Sequence, residues 1–232
     1  MRDLIEQERF ELEVLDKLKS GRILERLVFC GGTMLRLCFG LNRYSVDLDF
    51  QLKNKEDAEQ LRREITEFLR ADYTVTDSAD KFNTILVEIK SESYPRRLKI
   101  EIRKKTPEGS TEPAIAYSPS ADLQVYVDVV PLPDMMRSKI AAFLQRKEIR
   151  DAFDIEFLLK KGIGLEASPE DLGKLGQGLD ALTARDYSVK LGSILEEGDR
   201  EYYKRKNFAI LRSEIAGELS LRPDSFDFAQ DI

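Results

Sequence analysis

The sequence contains no histidine and only two cysteines. Without imidazole, the chain has no serine–histidine triad, no histidine metal ligand and no histidine acid–base catalyst. Cys30 and Cys38 are too few for a disulfide framework or a structural zinc site. Because both lie among apolar residues, we expect buried free thiols of a cytoplasmic protein. Any catalysis must therefore use carboxylates, lysines, hydroxyls, backbone amides or a metal held by oxygen.

Long apolar runs are also missing. No stretch approaches the roughly 18 apolar residues of a membrane helix, and residues 1–18 carry charges throughout, unlike a signal or transit peptide. A net charge of −6 excludes a globally basic nucleic-acid-binding protein, although it does not exclude a local basic patch. The 232 residues, 42% of them hydrophobic and 34% charged, suit one large domain or two small ones.

The apolar pattern changes near residues 131–134. Before this point, helical stripes and alternating segments follow one another, which predicts a mixture of helices and strands. The predicted helices cover 3–19, 34–41 and 56–70, and the predicted strands cover 27–30, 46–52, 73–77, 83–90, 97–105 and 124–130. Residues 106–122 contain three prolines, which predict mostly loop.

The second part of the chain has a helical pattern. Helices are expected over 135–160, capped by Asp134, and over most of the chain from Ser168-Pro169 to about residue 219. The sequence therefore predicts an α+β domain at 1–134, followed by a mostly α-helical domain at 135–232.

Two aspartates, Asp47 and Asp49, occupy the polar side of the alternating segment 46–52. On a strand, residues two apart point the same way, with Cα atoms roughly 6–7 Å apart. Two carboxylates on one face can bind a hard cation through oxygen. The same pattern is also typical of an ordinary solvent-exposed strand face, so the pair by itself does not decide between these interpretations.

A Gly31-Gly32-Thr33 turn separates a predicted strand from a predicted helix. Glycines let the backbone approach a phosphate closely, and the start of a helix presents free amides. The alternative interpretation is a tight turn that needs unusual dihedral angles.

A third carboxylate could complete a triad that holds two Mg²⁺ ions and activates a hydroxyl. Glu101 is one candidate, because it alternates with apolar residues in the predicted strand 97–105. Glu88 is the rival, with the same alternation in 83–90. For either residue, the alternative is an exposed strand face.

A further set of charged residues falls on the predicted helix 135–160: Lys139, Arg146, Arg150, Asp151 and Asp154. The cations could hold a triphosphate. The alternative is a series of helical ion pairs at i, i+4 spacing, namely Lys147–Asp151 and Arg150–Asp154.

Together these motifs resemble the AbiEii/AbiGii toxin nucleotidyltransferases, a branch of the DNA polymerase β-like superfamily. Residues 30–37 and 40–50 are similar to the family's first motif, with the Gly-Gly-Thr turn, a short helix, Arg-x-Ser and Asp-x-Asp at fixed distance. Residues 139–146 and 150–154 resemble its helical lysine and Arg-Asp-x-x-Asp motifs. The resemblance spans about residues 28–160 and favours Glu101 over Glu88.

The resemblance implies a fold and a role for each motif. The fold would be the mixed sheet of polymerase β-like enzymes, flanked by helices, with a catalytic domain at 1–134. Mg²⁺ or Mn²⁺ would be bound by Asp47, Asp49 and Glu101, and Lys139 would act with them in catalysis. The nucleotide-binding residues would be Gly31, Gly32, Thr33, Arg43, Ser45, Asp151 and Asp154.

The implied activity is transfer of a nucleotide from an NTP to an acceptor, with the tRNA 3′ end as the acceptor and a cognate antitoxin as a partner. Phosphoryl transfer depends on positioning and charge neutralisation more than on a tuned base, which suits a chain without histidine. Basic clusters at 96–99, 103–105 and 204–206 could contact RNA phosphates, although plain solubility explains them equally well.

Three alternatives remain open on the sequence. The acceptor could be a protein side chain, or the chain could be a non-catalytic nucleotide-binding module. Asp47-Leu48-Asp49-Phe50 also superficially resembles the nucleophile motif of haloacid dehalogenase-type phosphatases. That family expects an acid where this chain has Tyr203, which argues against the third alternative.

Overall fold

The computed structural model describes residues 2–221. The chain divides into two compact units, Met1–Pro131 and Leu132–Ile232. The end of the predicted helical domain, 222–232, lies outside the described residues, and the assignment of two functional domains stays a prediction. Within residues 2–221, none of the helices combines the length and apolarity needed to cross a membrane.

The first unit is built on a seven-stranded mixed sheet in the order β3-β4-β5-β2-β1-β7-β6. Its strands are β1 Leu27–Cys30, β2 Asp47–Leu52, β3 Thr74–Asp80, β4 Thr84–Lys90, β5 Leu98–Arg103, β6 Glu112–Tyr117 and β7 Gln124–Val129. Its helices are α1 Arg2–Ser20, α2 Gly31–Phe39 and α3 Ala58–Arg70, with a short 3-10 turn at Ile23–Arg26. Together with the second unit, this confirms the predicted α+β class.

The predicted alternation of buried and polar side chains in β2 is confirmed. Leu48, Phe50 and Leu52 are buried on one face, while the intervening polar side chains are half-buried on the other. Phe50 packs against Phe29 of the antiparallel neighbour β1, with ring centroids 5.1 Å apart and the rings tilted by 31°. The apolar side of β2 therefore anchors the strand in the core and holds its polar side in place.

Two expectations about secondary structure in the first unit are wrong. Residues 106–122 are not mostly loop, because Glu112–Tyr117 pairs with β7 as the edge strand β6. Proline at position 113 is compatible with a strand there, since an edge strand needs fewer backbone donors. The helix predicted at 34–41 begins earlier, at Gly31, so the glycines form its first turn.

Cys30 and Cys38 are both thiols outside any disulfide, as the sequence predicts. Cys30 is buried at the end of β1. Cys38 is only half-buried, so the expectation of full burial is wrong for this residue. Its surroundings still exclude enough water to raise the pKa of the Cys38 thiol to about 12.

The second unit contains helices α4 Leu132–Arg146, α5 Ile149–Lys160, α6 Pro169–Asp180, α7 Glu197–Lys206 and α8 Ala209–Leu221, with a short π-helix at Asp186–Leu191 and a 3-10 turn at Gly192–Ile194 before α7. The helix predicted over 135–160 is two helices, because the chain turns at Lys147 with φ 54°. Asp134 lies in the first turn of α4 rather than at its N-cap. Ser168 caps α6 as predicted, since its hydroxyl accepts a hydrogen bond from the Asp171 amide at 3.1 Å.

Candidate active site

Asp47 and Asp49 lie at the start of β2, each with a half-buried side chain. Leu48, between them, is fully buried on the opposite face. Because β2 and β5 run parallel and Asp49 is the register neighbour of Glu101, the two carboxylates project from the same face of adjacent strands. Glu101 is also half-buried. Three carboxylates are thus placed on one face of two neighbouring strands.

Glu88 occupies a different place. It lies on β4, where its register neighbour is Lys99 rather than an aspartate of β2. Its carboxylate accepts a hydrogen bond from Thr76 Oγ1 at 2.6 Å and another from Arg97 Nη1 at 2.9 Å. The bond from Thr76 and then that from Arg97 lower the pKa of Glu88. Glu101, not Glu88, therefore adjoins Asp49, and Glu88 already has local partners.

The two glycines at the start of α2 leave space for polar side chains. Gly31 has φ +82°, and a Cβ added there would lie 2.8 Å from Asp49 Cβ. A Cβ at Gly32 would lie 2.6 Å from Arg43 Nη2 and 2.8 Å from Ser45 Oγ. A Cβ at either position would force the neighbouring side chains to shift. Glycine at both positions therefore allows an aspartate, an arginine and a serine to approach the first turn of the helix.

Thr33 contacts the backbone at the start of β2. Its side chain is fully buried, and its hydroxyl donates a hydrogen bond to the Asp47 carbonyl at 2.6 Å. Arg43 is 3% exposed and donates from Nη1 to the Tyr44 carbonyl at 3.1 Å. These contacts hold the segment before β2, while the nucleotide contacts predicted for Thr33 and Arg43 stay predictions.

Helix α1 contributes a buried acid that the sequence motifs did not include. Glu11 is fully buried, and among the described residues neither of its carboxylate oxygens has a hydrogen-bond partner. Burial, reinforced by the charges of Glu8 and Asp47, raises the pKa of Glu11 well above its ordinary value, against the lowering effect of Arg36. Burial therefore favours the neutral carboxylic acid form of Glu11.

The neighbours of Glu11 on α1 are better satisfied. Glu8 accepts hydrogen bonds from Arg36 Nε and Ser118 Oγ. Gln7 donates from Nε2 to the Val46 carbonyl at 3.2 Å, directly before Asp47. The sequence did carry one signal for this group, because Glu8 and Glu11 fall on the apolar stripe of α1 instead of its polar side.

In the second unit, the charged residues of α4 and α5 pair closely. Lys139 Nζ lies 2.7 Å from Asp154 Oδ2 and 3.7 Å from Asp151 Oδ1. Arg146 donates two hydrogen bonds to Asp151, both at 2.7 Å. Both aspartates are fully buried. The prediction of a helical ion pair between Lys147 and Asp151 is wrong, because Lys147 precedes α5 and Asp151 bonds to Arg146 instead.

The predicted residues are thus brought together in two groups, one in each unit. Within residues 2–221, no three or more histidine, cysteine or acidic side chains are grouped in a way that could hold a metal ion. The chemistry of the donors nevertheless fits Mg²⁺ or Mn²⁺, because Asp47, Asp49 and Glu101 offer only carboxylate oxygens on one face. Metal binding by these residues stays a prediction.

Known proteins share both the sequence pattern and the fold. The family model described as "Nucleotidyl transferase AbiEii toxin, Type IV TA system" matches residues 14–231. No protein of curated function matches the chain.

Three solved structures have a similar fold. A putative nucleotidyltransferase from H. pylori has TM-score 0.57 and 19% identity, covering 90% of this chain and 97% of its own. JHP933 from Helicobacter pylori has TM-score 0.55 and 20% identity, with coverage of 93% and 97%. MenT4, a nucleotidyltransferase toxin from Mycobacterium tuberculosis, has TM-score 0.51 and 16% identity, with coverage of 92% and 94%.

Proposed function

The chain belongs to the AbiEii family of nucleotidyltransferase toxins, and we propose that it transfers a nucleotide from an NTP to a tRNA 3′ end with Mg²⁺ or Mn²⁺ as cofactor. The observation that carries the proposal is the register pairing of Asp49 with Glu101, beside the glycine turn that starts α2. The family also implies a cognate antitoxin as a partner.

The carboxylates and the glycine turn have complementary tasks in this proposal. Asp47, Asp49 and Glu101 would hold the metal ions, which supply positive charge to the phosphates and acidify the acceptor hydroxyl when bound. The backbone amides in the first turn of α2 would bind phosphate oxygens, because glycine at positions 31 and 32 adds no side chain between the backbone and a ligand. Phosphate and metal ligands thus converge where α2 and β2 begin.

Polar residues near the turn orient the phosphates. The guanidinium of Arg43 and the hydroxyl of Ser45 lie against Gly32, where both can donate to a phosphate oxygen. Thr33 keeps the start of β2 in place through its bond to the Asp47 carbonyl.

In the second unit, Lys139 is held between Asp151 and Asp154, and an ammonium has three hydrogens to donate. The third hydrogen would donate to a phosphate of the nucleotide, so Asp151 and Asp154 act as positioning residues for Lys139.

The test is label transfer from each of the four NTPs to total tRNA in the presence of Mg²⁺. Wild type should label tRNA, while Asp47→Asn, Asp49→Asn and addition of a chelator should each abolish the label. Asp77→Asn, an exposed aspartate on β3, is the matched control and should behave as wild type. No transfer by wild type would contradict the proposal. Label entering lysate protein instead of RNA would replace the tRNA acceptor by a protein side chain.

A further inference from the structure

An exposed aromatic surface covers one end of the sheet in the first unit. Two tyrosines and a neighbouring isoleucine form it, and we call these three side chains the aromatic platform. Ile115 is 51% exposed, Tyr117 54% and Tyr126 55%. Ile115 and Tyr126 are register neighbours on β6 and β7, so their side chains stand next to each other. Adjacent exposed apolar side chains form a contiguous patch, the kind of surface that marks interaction sites on proteins.

The platform lies on the same face of the sheet as the carboxylates. Asp49 is the register neighbour of Cys30, and the preceding Phe29 is the neighbour of Val129. Side chains alternate along a strand, so Phe29 and Val129 point to the opposite face, while Tyr126, three residues before Val129, shares the face of Asp49. Tyr126 lies two strands away from Asp49 and four residues further along the strand direction. These spacings place Tyr126 about 16 Å from Asp49. A few unpaired nucleotides span that length.

One cation lies beside the platform, and two more lie on the sheet face between β7 and β5. Lys19 Nζ lies 5.9 Å from the ring centroid of Tyr126. Lys53 follows β2 on the same face and donates a hydrogen bond to Asp128 at 2.6 Å. Arg103, at the end of β5, is exposed and in register with Gln51. Aromatic faces flanked by cations match the bases and phosphates of a single-stranded nucleic acid.

The edge strand itself is poorly suited to a protein partner that adds a strand. Pro113 lies within β6 and has no N–H to donate, which removes one bond from the exposed edge. Recognition at this edge therefore relies on side chains, and Tyr117 and Tyr126 present flat rings with polar tips.

We propose that the aromatic platform binds unpaired nucleotides of the RNA acceptor, with bases stacked on Tyr117 and Tyr126 and phosphates held by Lys19 and Arg103. This inference rests on the proposed function, since it supplies the strand on which the carboxylates act. The platform holds the RNA at the β6 edge of the sheet, and the 3′ hydroxyl reaches Asp49 on the central strand β2.

The experiment measures binding of a fluorescein-labelled single-stranded RNA 12-mer by anisotropy, without NTP or metal. The double variant Tyr117→Ala/Tyr126→Ala should bind about tenfold more weakly or worse, because stacking on two rings is lost. Tyr117→Phe/Tyr126→Phe keeps both rings and should bind as wild type. Phe82→Ala removes a 93% exposed aromatic ring outside the platform and serves as the matched control. Thermal unfolding confirms that each variant folds.

The outcomes separate the platform from the proposed activity. Equal binding by wild type and the double alanine variant would overturn the platform, as would tighter binding of an RNA duplex than of the single strand. If the platform variants lose RNA binding but wild type transfers no label to any acceptor, the proposed function fails and the platform stands. If wild type labels tRNA and the double alanine variant labels it equally well, the platform fails and the proposed function stands.

Discussion

Gly31 lies so close to Asp49 that a Cβ at position 31 would stand 2.8 Å from the Cβ of the aspartate. Gly31 also has φ +82°, a conformation that other residues adopt only with strain. The glycine is therefore required twice, once for the backbone of the first turn of α2 and once for the space that Asp49 occupies. A change in the first turn of α2 would therefore also displace Asp49, one of the proposed metal ligands.

Gly31→Ala should abolish most of the nucleotide transfer, because the new methyl group displaces the carboxylate of Asp49. Gly40→Ala is the matched control, since Gly40 has φ +77° and, among the described residues, no atom lies within 4 Å of a Cβ built there. Both variants should lose about 1–2 kcal/mol of unfolding free energy from backbone strain. Only Gly31→Ala should lose activity, by about a hundredfold or more. Equal activities in the two variants would contradict the contact with Asp49.

Glu101→Gln should lower the rate of transfer by about a hundredfold or more, because it removes a carboxylate beside Asp49 that the proposed metal ions require. Glu88→Gln should change the rate by no more than about twofold, since this carboxylate is engaged by Thr76 and Arg97 on a neighbouring strand. Steady-state rates over a range of Mg²⁺ concentrations measure both effects. A larger loss in Glu88→Gln than in Glu101→Gln would reverse the assignment of the third carboxylate.

Lys139→Ala should destabilise the protein by about 3–5 kcal/mol, because it removes the ammonium 2.7 Å from the buried Asp154 carboxylate. Urea denaturation measures the change. Lys174→Ala, which breaks an exposed i, i+4 pair with Glu170, is the matched control and should leave the urea midpoint unchanged. If both lysine variants unfold at the wild-type midpoint, Lys139 has no structural role and its phosphate contact becomes its main task.

Glu11→Gln should change how stability depends on pH. Burial raises the pKa of Glu11 above the ordinary value of 4.5, so between the unfolded and folded pKa values the folded protein binds a proton that the unfolded chain releases. The resulting stability is complete below the unfolded pKa and declines as pH rises towards the folded pKa, with a slope of at most about 1.4 kcal/mol per pH unit. The amide cannot ionise and therefore loses this slope.

The comparison for Glu11 uses chemical denaturation of wild type and Glu11→Gln between pH 5 and pH 8. The stability of Glu11→Gln relative to wild type should increase with pH from pH 5 until the pH passes the folded pKa of Glu11. Parallel curves for the two proteins would show that Glu11 is ionised or solvated in the folded state.

Local patterns predicted much of the proposed site. The family and the α+β class are confirmed, and the strict alternation of residues 46–52 is enough to place Asp47 and Asp49 on one face of a strand. Such patterns succeed because the repeat of a strand is set by neighbouring residues. The strand at 112–117 was missed, since its three short-range signals, proline, small residues and modest apolarity, favour a loop unless β7 pairs with it.

By itself, therefore, the sequence determined the residue types of the site and their spacing along the chain, because strand alternation and glycine turns depend on local geometry. Tertiary structure alone decided that Glu101 rather than Glu88 adjoins Asp49, since the order β4-β5-β2 is set by pairing between distant segments. It likewise decided the contact between Gly31 and Asp49. Those features depend on which side chains meet across the fold, and no local pattern contains that information.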